Sequence, residues 1–130
     1  DRLAAVIDYE TARTDVRCVD LASAALQCSM TVTSGKPPHE WPVEMHLERF
    51  KATLTGYEQC MQQRSSTLLS TAELRALPDL MVESLIAEAS APIAATGRFG
   101  GHDASSVLQM VQGKAGWILD NRERLAGVLD

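Results

Sequence analysis

The chain has 130 residues, 45% hydrophobic and 22% charged, with a formal net charge of −5 and only two each of Trp, Tyr and Phe. That length builds one core without a metal or disulfide framework, and the composition is not that of a disordered chain. The acidic balance, singly scattered Lys and Arg, and few aromatics exclude a nucleic-acid partner, and no apolar run reaches the roughly 18 residues of a membrane span.

Three groups of breakers, Ser34-Gly35-Lys36-Pro37-Pro38, Arg64-Ser65-Ser66-Thr67 and Gly97-Arg98-Phe99-Gly100-Gly101, divide the chain into four segments of helical periodicity. The first runs from about Asp1 to Thr33. Its stripe is Cys18, Leu21, Ala25, Cys28 and Val32, extended weakly backwards through Ile7, Thr11 and Thr14. The second opens at Pro42, a residue suited to a first helical turn, and carries Leu47, Phe50, Leu54, Tyr57 and Met61 at alternating steps of three and four.

The third segment has the clearest start. Ser70-Thr71-Ala72-Glu73 reads as a capping box, with Leu69 and Leu74 placed as a hydrophobic staple. Pro78 removes a donor and disfavours helix at Leu77, which predicts a break there and a main helix from about Pro78 to Ala91. Pro92 then ends or kinks the helix, and Gly97 is a left-handed stop. The fourth segment starts at the N-cap Asp103 and carries Leu108, Val111, Ala115, Ile118, Leu125 and Leu129, interrupted by Arg122. Arg122 is expected to snorkel or to pair with Asp8 or Glu10. Gly113 and Gly116 each cost about 1 kcal/mol relative to Ala, which suggests close approach of a neighbouring helix. No segment reads as a strand.

Short connections make consecutive helices antiparallel neighbours. The predicted fold is therefore all-α: one domain over residues 1–130, an antiparallel up-and-down four-helix bundle whose third helix is interrupted near Pro78. In that topology His39, Trp41, His46, Arg98 and His102 gather at the end away from the termini. They form the candidate ligand-binding set. His39, His46 and His102 are the candidate metal ligands, and a transition ion such as zinc is the one cofactor they suggest.

The cysteines show no metal-finger or CxxC spacing, and the plain reading is three small buried hydrophobes in a reducing compartment. A hairpin turning at His39 would set Cys18 level with Cys60, making Cys18–Cys60 the disulfide expected in an exported protein. Gly97–Gly101 is not a phosphate loop, because no strand precedes it and Asp103 opposes an anion. Ser105 and Ser106 next to His102 are not a triad by adjacency alone.

No catalytic constellation emerges, so an enzyme ranks third among the readings. First is a non-catalytic regulatory, sensory or protein-interaction module, with self-association as a homodimer through the first or fourth helix. Second is a small-ligand or metal binder using the His-rich end. The chain opens at Asp1 without a leader, which suggests a processed mature chain or part of a longer protein. Acidity and thiol usage lean towards the cytoplasm, with the periplasm or secretion as the alternative after leader removal.

Overall fold

A computed structural model describes residues 16–64 and 67–129. They are mostly helical, and the all-α class holds. The elements are α1 (Arg17–Ser29), a 3-10 turn at Pro38–Glu40, α2 (Leu47–Gln63), α3 (Thr71–Thr96), β1 (Arg98–Phe99), β2 (His102–Asp103), α4 (Ala104–Asp120) and α5 (Arg122–Ala126). Helix α1 packs extensively on α2 and on α3, α3 on α4 and α5, and α4 on the 3-10 turn. The five helices contribute to one buried cluster that includes Leu21, Leu26, Phe50, Leu54, Met81, Val111, Ile118 and Leu125.

The local signals for helix ends hold where they are strongest. Ser70 accepts from the Glu73 N–H while Glu73 accepts from the Ser70 N–H, closing the capping box. Asp103 accepts from the Ser106 N–H at 3.0 Å. Gly97 ends α3 at φ +71°, with its N–H on the Ile93 carbonyl.

The expected break near Pro78 does not occur. Helix α3 runs unbroken through both Pro78 and Pro92. Pro78 lies buried beside Leu77, Met81 and Leu85, so burial of that face offsets the missing N–H. Two other boundaries also move. Helix α1 ends at Ser29, and the chain turns extended at Met30. Helix α2 starts at Leu47 with His46 as its N-cap, not at Pro42. The buried row of α1 is Leu21, Ala22, Ala25, Leu26 and Ser29, which leaves Cys28 and Val32 exposed.

In α4 the buried row is Val107, Val111, Lys114 and Ile118, continued by Leu125 of α5, while Leu108 faces solvent. A turn at Asn121 separates α4 from α5, and this frees Arg122 from the apolar row. Arg122 is exposed and donates to the Leu119 carbonyl at 3.2 Å; Asp8 and Glu10 lie outside the described residues. Two short strands, unexpected from the sequence, pair Arg98 with Asp103 and Phe99 with His102. Gly100 at φ +56° permits so tight a hairpin.

Candidate functional site

The most sharply built part of the surface surrounds Trp41. Its position follows from the segment between α1 and α2, which is held at four points. The Ser29 carbonyl accepts from the His46 N–H at 2.8 Å, closing the base of the connection. The 3-10 turn ends with the Trp41 N–H on the Pro38 carbonyl at 3.0 Å, and the Trp41 indole N–H donates to the Lys36 carbonyl, also at 3.0 Å. Ser106, buried in the first turn of α4, lies with its Oγ 2.9 Å from His39 Nδ1 and accepts from the His39 N–H at 3.3 Å.

The fourth point is Lys114, a lysine with no exposed surface. Its Nζ donates to the Pro42 carbonyl at 2.7 Å and to the Thr31 carbonyl at 3.1 Å, one on each side of the connection. Burial pushes the Lys114 pKa down, and the charge of Glu44 opposes this. An ammonium stripped of water requires such acceptors. Gly113, beside it, admits Val43: a Cβ there would stand 2.8 Å from Val43 Cγ1. The close approach expected at the α4 glycines is thus to this connection, and Gly116 meets nothing within 4 Å.

Trp41 so placed is a wall shared by two hollows. One is a cleft of about 100 Å³ lined by Trp41, Met30, Leu85, Phe99, Val107 and Met110, with Gln27 and Glu88 at its rim. The Glu88 carboxylate is oriented by α1: Gln27 Nε2 donates to Oε2, and Ser23 Oγ donates to Oε1 at 3.3 Å. The other is an open basin of about 550 Å³ between Val32–Pro37, Trp41 and His102. The His102 ring meets Trp41 edge-on, with centroids 5.9 Å apart and planes at 85°.

The five residues expected to form a ligand site separate accordingly. Trp41 and His102 come together. His39 engages Ser106, while His46 caps α2 by accepting from the Arg49 N–H at 3.4 Å. Arg98 donates to the Gly101 carbonyl at 2.7 Å and stiffens the hairpin. The three imidazoles therefore have three different neighbours, and among the described residues no group of three or more His, Cys, Asp or Glu side chains is arranged to hold a metal ion.

All three thiols are free, Cys18 half-buried and Cys28 and Cys60 exposed, which corrects the expectation of three buried cysteines. The Ser29–His46 bond moves the midpoint of the turn. Counting outwards from it sets Cys18 level with Tyr57, about one helical turn short of Cys60.

The Ser106–His39 pair is a fixed strut. Ser106 is buried, no carboxylate among the described residues hydrogen-bonds His39, and a serine nucleophile needs an accessible hydroxyl and an oriented base. Sequence reasoning passed over Gln27, Glu88 and the methionines of the cleft, weighed Ser106 only as a triad serine, and gave Lys114 no structural role. The one available signal was the spacing of Lys114, three residues after Val111 and four before Ile118 on the same row. Comparison with known proteins adds no assignment: no family model matches the chain, and neither a curated protein nor a solved structure matches it.

Proposed function

We propose that this chain is a non-catalytic protein-interaction module whose partner inserts an apolar side chain into the cleft beside Trp41. The observation that carries this reading is the cleft's size and lining. At about 100 Å³ it lies below the 300–1,000 Å³ typical of small-molecule pockets and below the roughly 150 Å³ cavity that takes up benzene. One leucine or methionine side chain suits it. Met30 and Met110 adapt their shape to whatever enters, and Trp41 and Phe99 supply rigid contact area. The struts that hold the connection preform the cleft, so little ordering entropy opposes binding.

The test uses an 18-residue amphipathic helix with leucines on one face and glutamines on the other. Titration into methyl-labelled protein is expected to shift the Met30 and Met110 methyl resonances and the Trp41 indole resonance, and Trp41→Ala is expected to abolish the response. Shifts confined to other surfaces, or none at all, would overturn the reading.

A second reading, a small-ligand site, draws on the basin at the other side of Trp41, whose volume of about 550 Å³ is large enough for one. A thermal-shift screen with small aromatic acids, in which Trp41→Ala and His102→Ala gave the same profile as the parent, would remove it. A homodimer through α1 or α4 stands as a separate proposal, supported by the exposed Leu108 on α4. Monomeric mass by light scattering at high concentration would dispose of it.

A further inference from the structure

The Trp41 cleft shares the α1–α3 seam with a second cleft, and the bonds from Ser23 and Gln27 to Glu88 lie between the two. On α1, Val19, Ser23 and Gln27 follow one another at intervals of four and form one row; on α3, Leu80, Ser84 and Glu88 do the same. The two rows meet where Ser23 and Gln27 both donate to Glu88. A second cleft, of about 190 Å³, opens between the same rows and is lined by Val19, Leu80, Glu83, Ser84 and Ala87. From Leu80 to Glu88 the groove measures about 12 Å at 1.5 Å per residue. Two turns of a partner helix span that distance, so apolar residues seven apart reach both clefts. Ser23, Ser84 and Ala87 are small enough to let a partner backbone come close.

The charge along this groove has one sign. Residues 18–35 and 76–97 hold Asp20, Asp79, Glu83 and Glu88 and not a single Lys or Arg. Glu83 stands in one cleft and Glu88 at the rim of the other. Glu88 is also already oriented by two donors, which leaves further lone pairs of its carboxylate for a cation. A second copy of this chain, with its net charge of −5, would meet like charge here.

We infer that the partner is a basic amphipathic helix, its apolar face laid along the α1–α3 groove and its Lys or Arg residues against Glu83 and Glu88. This inference rests on the interaction reading above and specifies the partner's chemistry.

The test compares three 18-residue helices with the same leucine face but lysine, glutamine or glutamate on the flanks, titrated by calorimetry into the full chain at low and physiological salt. The lysine helix is expected to bind most tightly and to weaken with salt. The glutamate helix is expected to bind least. Glu83→Gln together with Glu88→Gln is expected to lower lysine-helix affinity about fivefold, the size of two rim ion pairs, and to leave glutamine-helix affinity unchanged. Circular dichroism checks that the double variant folds.

Equal binding of the lysine and glutamine helices without salt dependence would overturn the basic partner and leave the cleft reading standing. Lysine-helix binding that survives Trp41→Ala undiminished would show attraction to charge without the groove and overturn the inference. Failure of the glutamine helix and the lysine helix alike would overturn both. A glutamine helix that drives dimerisation of the chain would replace the basic partner with a second copy.

Discussion

Arg17 and Lys114 each tie down a connecting segment by reaching two of its backbone carbonyls, yet they do so in opposite surroundings. Arg17, at the start of α1, donates to the Thr67 and Leu68 carbonyls at 2.7 and 2.8 Å and grips the Glu73 carboxylate at 2.6 and 2.8 Å. Both members of that pair remain about a quarter exposed. Lys114 is wholly buried, bonds the Thr31 and Pro42 carbonyls, and hydrogen-bonds no carboxylate among the described residues. The surface tie is a bidentate charge pair softened by water. The buried one is a desolvated cation whose loss orphans its acceptors. Exposure and the presence of a counter-ion, more than the number of bonds, set what each is worth.

Lys114 variants give the largest expected effect. Lys114→Ala removes a packed stem and both bonds and is expected to destabilise by about 3 kcal/mol in denaturant unfolding. Lys114→Met keeps the stem and should lose about half as much. The pH dependence sharpens the contrast. The folded pKa of Lys114 lies below its ordinary 10.5, so between the two values the unfolded chain binds more protons and stability rises with pH. Parent protein should gain stability across that alkaline window relative to Lys114→Met. A difference that stays flat would contradict the buried charge.

Ser106→Ala comes next, with an expected loss of about 1 kcal/mol and a weaker neutral-helix response at Trp41, because the His39 strut goes with it. Glu73→Gln tests the surface tie. Arg17, through its side-chain bond, lowers the Glu73 pKa to about 2, with help from the Ser70 N–H. That stabilisation is complete above the unfolded value near 4.5 and disappears as pH falls through 2. Solvent screening reduces it to about 1 kcal/mol, so acid titration of the Glu73→Gln variant should be flatter than that of the parent by this amount.

Smallest is the glycine pair. Gly116→Ala has open space and should raise stability by about 0.5–1 kcal/mol, whereas Gly113→Ala should gain less because Val43 must give way. Equal gains, read as melting temperatures, would mean that the connection does not press on α4.

What could be read from the sequence was what neighbouring residues decide between themselves. The Ser70–Glu73 box, the Asp103 cap and the Gly97 stop are each completed within four residues, and all three hold. The readings that failed depend on distant partners. Pro78 stays helical because the core receives its ring. Lys114 belongs to a buried row because carbonyls from the α1–α2 connection meet it there. His39, His46 and His102 were expected to gather at one end of a bundle, yet proximity in a topology does not orient rings, and each is engaged by a different neighbour. The cleft was illegible for the same reason: Met30, Leu85, Phe99 and Met110 come from four separate stretches, and no spacing links them.

Helix α3 is 26 residues long, a rod of roughly 39 Å, and its two prolines take two rungs from its hydrogen-bond ladder. Bending in such a rod concentrates where rungs are missing. The stretch between Pro78 and Pro92 carries Leu80 and Ser84, which line one cleft, and Leu85 and Glu88, which line the other, so one uninterrupted span of helix supplies a wall to each and fixes the spacing between them.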